Sequence, residues 1–310
     1  MYKILYKSIL ILISLIIVCV FYLSIIGLKT SKFNDVIEKK ISQLDQRLSI
    51  QLTQVYLKIN LKKLDVKLST KNPIVKVNNY GIVLSEINLN IGLLNFFKEN
   101  IIINNLSIIS KNNEIKEIIS IVNKYRFNLP LIFAQKKIQE GNLNFEINVN
   151  FDEINGQILN FDSIGSARKL KIKLLKNNEI QDLNFDFNFK NNNFRFSNIN
   201  LIYNNIKFYS KDISVKNENS NYIINGTIKN SFQKVNSNLI NNFLNNKYKN
   251  ILKNSLDIES DNVFKLKLNR KFKLVEKYFE SKLKIKELEI KEVFDDLKIL
   301  LPNINQNIKF

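Results

Sequence analysis

Between residues 142 and 230 apolar and polar side chains alternate so regularly that the segment suits strands with one dry face and one wet face. Leu143, Phe145, Ile147, Val149 and Phe151 share one parity, and Asn142, Asn144, Glu146, Asn148, Asn150 and Asp152 share the other. Leu183, Phe185, Phe187 and Phe189 repeat the pattern against Asp182, Asn184, Asp186, Asn188 and Lys190, and Phe194 and Phe196 open the next strand. Turn signals return every 8 to 14 residues or so, roughly the spacing of a meander. That leaves no room for the crossover helices that parallel strands require, so the sheet is antiparallel.

Period two also governs the stretch from Val55 to Leu68, the strands around Ile82 to Ile91 and Ile101 to Ile109, and the segments near Phe264 to Leu274 and Leu283 to Ile290. Pro73, Tyr80-Gly81 and Gly156 mark turns. Three stretches change to helical spacing: residues 31–48, with Ser31 as a cap; residues 114–126; and residues 233–254. The fold class predicted is mainly β: a long antiparallel, curled sheet forming an open groove, with a few short amphipathic helices.

Ahead of this body, residues 8–28 carry no charge and are rich in Ile, Leu, Val and Phe. About 20 such residues cross a hydrocarbon core as a helix. No small-residue cleavage site follows, and Val18 precedes Cys19 where a lipoprotein would need a small residue, so residues 1–28 read as an uncleaved signal anchor and 29–310 as the body. Lys3 and Lys7 precede the run, but Lys29, Lys32, Lys39 and Lys40 follow it, so the positive charges leave the orientation open.

The chain has no histidine, and Cys19 in the apolar run is its one cysteine. The usual general base, the commonest metal ligand and a thiolate in the body are thereby absent from the available chemistry. Two carboxylate pairs, Asp152-Glu153 and Asp295-Asp296, read as solvated charges. The expectation is a non-enzymatic protein with no catalytic residue, metal or cofactor. The net charge of +19 comes mostly from dispersed lysines, and the five arginines form no cluster, which argues against a nucleic-acid partner. Much of the Asn and Lys reads as codon drift on solvent-facing positions.

A broad apolar sheet face must be covered by protein or by another apolar substance. The candidate site is therefore the face itself: Leu143, Phe145, Ile147, Val149, Leu183, Phe185, Phe187, Phe189, Phe194 and Phe196, with phospholipid acyl chains as the ligand.

The order of features resembles the AsmA-like superfamily of Gram-negative envelope proteins over about residues 1–230. The resemblance is carried by the anchor, the helix at Val36 to Leu48, and the stretch Leu84-Ser85-Glu86-Ile87-Asn88-Leu89-Asn90-Ile91-Gly92-Leu93-Leu94. Ile101 to Ile108 and the step Ile138-Gln139-Glu140-Gly141-Asn142-Leu143 complete it. It implies an inner-membrane protein anchored through residues 8–28, a periplasmic body, and a role in moving phospholipid between inner and outer membranes. Family members that bridge the envelope are much longer. A dozen strands about 4.8 Å apart make a groove on the order of 60 Å, so another envelope protein, or a longer system, is expected to complete the bridge. The alternative is an assembly scaffold that helps outer-membrane protein biogenesis through strand edges.

Overall fold

The computed structural model describes residues 2–32, 34–44, 46–78, 80–96, 102–125, 129–174, 178–236 and 256–286. Among them the chain is mainly β: sixteen strands in an open antiparallel sheet, one long apolar helix at the N-terminus and a few short helices.

Helix α1 (Tyr2–Ile25) contains Tyr6–Ile25, a segment long and apolar enough to cross a membrane and unburied by the rest of the chain. The helix stops before the apolar run does. Gly27 takes a left-handed φ of +79°, its N–H reaches back to the Tyr22 carbonyl at 3.2 Å, and Leu28 already begins strand β1 (Leu28–Thr30).

The chain continues through α2 (Asn34–Leu44), β2 (Leu48–Gln51), β3 (Val55–Asn60), β4 (Asp65–Lys71), β5 (Ile74–Val77) and β6 (Tyr80–Gly92). Next come α3 (Leu93–Phe96), β7 (Ile103–Ser110), β8 (Asn113–Glu114), α4 (Ile115–Tyr125), α5 (Leu129–Lys137) and β9 (Ile138–Phe151). The remaining strands are β10 (Ile158–Lys173), β11 (Glu179–Lys190), β12 (Asn193–Tyr203), β13 (Ile206–Glu218), β14 (Asn221–Val235), β15 (Leu256–Asn269) and β16 (Leu274–Ile285). The order in the sheet is β1-β3-β4-β6-β7-β9-β10, then consecutively to β16; β2 pairs with β5, β5 also with β6, and β8 with β9.

Two compact units divide the chain: Met1–Arg168 with Phe187–Asn191, and Lys169–Asp186 with Asn192–Phe310. In the first, register aligns one apolar residue per strand: Leu28, Leu57, Leu68, Leu89, Leu106 and Val149 run across β1, β3, β4, β6, β7 and β9. The neighbouring row includes Val55, Ile87, Ile108 and Ile147. Helix α4 packs on β6, β9 and α5, with Ile115, Ile118, Ile119 and Ile121 buried. Helix α2 is tied to the chain just after β2: Glu38 Oε1 accepts from the Leu52 N–H at 2.9 Å, and Asn34 Nδ2 donates to the Leu52 carbonyl at 3.1 Å.

Several sequence expectations are corrected. Helix α2 is shorter than 31–48, because Leu48 leaves it to pair with Val77 in the small β2-β5 ladder. Tyr80 and Gly81 lie in β6, and the turn sits just before them at Asn78, whose φ is +53°. Of the helix expected over 114–126, residues 115–125 form α4, Glu114 belongs to β8 and residue 126 lies outside the described residues; α5 follows where no helix is expected. Of the helix expected over 233–254, residues 233–235 belong to β14 and those from 237 onward lie outside the described residues. Neither unit shows the curl expected of the sheet.

Asparagine is less idle than codon drift suggests. Left-handed pairs Asn191-Asn192, Asn204-Asn205 and Asn219-Ser220 stand between successive strands from β11 to β14. Two positive-φ residues in a row make the tight hairpin turn whose twist matches the flanking strands. Asn tolerates that backbone better than most residues, so the chain turns with few glycines. Other asparagines form a cross-strand ladder on the wet face: Asn105 Nδ2 donates to Asn150 Oδ1 at 2.9 Å, and Asn150 Nδ2 to Asn160 Oδ1 at 2.8 Å.

Candidate functional site

The apolar face of the second unit is built by register. Phe196 on β12 pairs with Ile213 on β13, Ile213 with Gly226 on β14, Gly226 with Phe264 on β15, and Phe264 with Phe279 on β16. Paired residues of antiparallel strands point to the same side, so these five form one row. Phe194, Val215, Ile224 and Leu266 form the next.

The aromatic rings of this face touch. Phe185 meets Phe196 edge to face at 5.5 Å between centroids, and Phe194 stacks on Phe196 at 6.0 Å. Phe185, Phe196, Ile213, Ile224 and Phe264 are only half-buried, and Phe194 and Phe279 are exposed. All described helices belong to the first unit, so no described helix of the second covers its face.

The ten residues expected at the site divide between the units. Leu143, Phe145, Ile147 and Val149 lie on β9 of the first unit, all half-buried, with Leu143 opposite Asn113 of β8 and Ile147 and Val149 opposite Ile108 and Leu106 of β7. This strand is also packed by α4 and α5, so protein takes part in covering it. Phe187 and Phe189 belong to the same unit; Phe189 is buried and stacks on Phe161 at 4.8 Å. Leu183, Phe185, Phe194 and Phe196 belong to the second unit.

Sequence reading missed how the face persists when the alternation changes phase. In β10 the apolar parity changes from Ala167 to Leu170, in β11 from Ile180 to Leu183, and in β12 from Phe196 to Ile199. Each change brackets a residue with left-handed backbone: Lys169 (φ 54°), Asp182 (φ 48°) and Asn198 (φ 53°). At Asn198 the β12–β13 pairing keeps one register on either side, Phe196 with Ile213 and Ile199 with Ser210, so the phase change goes with a left-handed residue and not with an inserted one. The available signal was the phase change itself.

A second missed element is glycine under aromatic rings. A Cβ on Gly165 would stand 2.6 Å from Phe187 Cζ, and one on Gly226 would stand 2.9 Å from Phe264 Cζ. Both phenylalanine rings thus lie over glycine, closing the gap that a missing side chain would leave in the face.

The wet side carries ordinary cross-strand electrostatics. Lys229 and Asp261 pair at 2.5 Å, and that hydrogen bond, first among its causes, raises the Lys229 pKa above the usual lysine value. Asp152 is held below the ordinary aspartate range because the Asn155 and Ile154 N–H groups donate to it. Among the described residues no group of three or more His, Cys, Asp and Glu is placed to hold a metal ion. What the face offers chemically is apolar area. No family model, no curated protein and no solved structure matches this chain.

Proposed function

We propose that this chain is a non-enzymatic, membrane-anchored lipid-binding protein that takes part in phospholipid transport between the inner and outer membranes of a Gram-negative cell. In this reading α1 holds it in the inner membrane and the sheet stands in the periplasm, as the resemblance to AsmA-like proteins implies. The single observation that carries the proposal is the row Phe196, Ile213, Gly226, Phe264 and Phe279, an apolar face one residue wide on each of five successive strands. Acyl chains suit such a face, since each buried methylene contributes about 0.8 kcal/mol and no polar partner is required.

The test is site-specific photocrosslinking on the full chain in its membrane, with a benzophenone amino acid replacing Phe196. A phospholipid adduct, lost when Phe264→Asp is added to a chain that still folds, supports the proposal. An adduct to protein alone overturns it.

A second reading, an assembly scaffold working through strand edges, is favoured by β16. Every one of its residues is exposed, and among the described residues β15 is its only sheet neighbour. An open edge is a template for another chain's strand. The same crosslinker at Tyr278 reads this directly: a protein partner captured there, with lipid absent at Phe196, selects the scaffold.

A further inference from the structure

The end of the first unit where α1 joins the sheet carries features that a lipid-binding face does not use. Pairing of Asn60 with Asp65, Asp65 with Gly92, Asn90 with Asn105 and Asn105 with Asn150 places the β3-β4 turn, α3 and the β9-β10 turn at one strand end. Hydrogen bonds join them: the Leu93 N–H donates to the Leu64 carbonyl at 2.7 Å, and Asn104 Nδ2 donates to Glu153 Oε1 at 3.2 Å. Gly27, two residues past the last residue of α1, is packed so closely on β3 that a Cβ there would stand 2.9 Å from the Leu57 carbonyl oxygen. The membrane-length helix therefore ends at this same rim.

Each of the three connections exposes a large apolar side chain: Leu64 is 62% exposed, Leu94 83% and Ile154 86%. Leu64 does so from a left-handed backbone, φ 51°, where this chain elsewhere prefers asparagine. Neither the core nor the turn benefits from leucine there.

Beside these tips lies a cavity of about 660 Å³, lined by Ser24 of α1 and by Lys58, Lys62, Lys63 and Lys67, with Asp65 its one acidic residue. Lys58 and Lys67 are register partners on adjacent strands, an arrangement of like charges that disfavours the bare sheet. Lys62 and Lys63 are set by their own backbone N–H groups, which donate to Asn60 Oδ1 at 3.1 and 3.3 Å. All four lysines are exposed, and none forms an ion pair among the described residues.

We infer that this rim is a membrane-contact surface: Leu64, Leu94 and Ile154 enter the bilayer interface, and the lysine cavity holds the phosphate of an anionic phospholipid headgroup. Apolar tips beside lysines match the layering of a bilayer surface, with hydrocarbon next to anionic headgroups. The proposal rests on α1 spanning the membrane and is independent of what occupies the apolar face.

Because the chain has no tryptophan, a single introduced one is an unambiguous depth probe. The full chain carrying Leu64→Trp is reconstituted in phosphatidylcholine vesicles with one third phosphatidylglycerol, with and without bromine on the acyl chains. Lys111→Trp, one residue beyond the opposite end of β7, is the control. Quenching at position 64 at least threefold that at position 111 is expected, with phosphatidylglycerol enriched over phosphatidylcholine in lipid co-isolated with the chain. Replacing the four lysines by glutamine abolishes the enrichment and leaves the quenching. Equal quenching at the two positions overturns the inference. So does enrichment unaffected by the lysine changes, or its loss to millimolar inorganic phosphate, which marks a site for free phosphate. A chain that fails to float with vesicles at all refutes the membrane anchor instead.

Discussion

The ring of Phe264 occupies the space above Gly226: a Cβ at that glycine would stand 2.9 Å from Phe264 Cζ and 2.7 Å from Ile213 Cγ1. Both neighbours are its register partners on the flanking strands. The glycine is therefore part of the apolar face, serving as the floor on which two side chains meet. Gly226→Ala inserts a methyl into filled space and is expected to destabilise the second unit by about 1–3 kcal/mol. Adding Phe264→Leu, which removes the ring atom in the way, should recover part of that loss. Denaturant titration of the four chains in a double-mutant cycle checks this; additive losses would show that ring and glycine do not interact.

Asn113 predicts a loss of similar size from hydrogen bonding instead of packing. Its side chain imitates a strand neighbour for Val83: Oδ1 accepts from the Val83 N–H at 2.7 Å, and Nδ2 donates to the Val83 carbonyl at 3.0 Å and the Lys111 carbonyl at 2.8 Å. It is 6% exposed. Asn113→Ala takes the partner from the Val83 N–H beside a buried leucine, Leu84, while the Val83 carbonyl keeps the Lys111 N–H at 3.0 Å; one such orphaned group costs about 1–3 kcal/mol. Asn113→Asp retains the acceptor but turns a carboxylate oxygen onto the two carbonyls that Nδ2 had served, in a buried site, so its loss should be at least as large. Hydrogen exchange at the Val83 amide should rise in the alanine variant first.

How much of this was legible follows from which residues carry the signal. The alternation at Leu143–Val149 and Leu183–Phe189 reports the pleat directly, so strands, antiparallel sense and apolar face were readable. The left-handed backbone at Lys169, Asp182 and Asn198 was not, because Lys gives no such signal and Asn is common throughout the chain. Strand β1 was hidden by hydrophobicity: Leu28 extends the apolar run, and only the left-handed Gly27 separates helix from strand. The lysine cavity escaped because Lys58 and Lys67 are nine positions apart in sequence and meet only through the β3-β4 hairpin.

Gly27 is itself a test of that junction. Its φ of +79° and the Leu57 carbonyl oxygen 2.9 Å from an added Cβ are two independent reasons against any side chain. Left-handed backbone alone costs an L-residue about 1–2 kcal/mol. Gly27→Ala should loosen β1 from β3 while leaving α1 in the membrane. Limited proteolysis of the reconstituted chain is expected to cut near residues 27–32 faster in the variant, with membrane retention unchanged. Unaltered cleavage would mean that the junction tolerates a side chain, contrary to its geometry.

Asp152 makes the β9-β10 turn sensitive to acid. Its Oδ1 accepts from the Ile154 and Asn155 N–H groups, each at 2.9 Å, and these bonds favour the ionised carboxylate, lowering its pKa, with the Asn155 contribution the larger. A pKa lower in the folded turn than in the open one contributes stability that is present above the ordinary aspartate range. That stability is lost as pH falls through the folded value. The Ile154 and Asn155 amides should therefore be protected from hydrogen exchange at neutral pH and lose that protection in acid, after correction for the intrinsic rate. Asp152→Asn keeps an acceptor oxygen but cannot ionise, so its protection should not change with pH over that range. Identical profiles for the two chains would show that the carboxylate does not govern the turn. A pH-dependent profile in the native chain alone would make Asp152 the group that holds Ile154 outward at the rim.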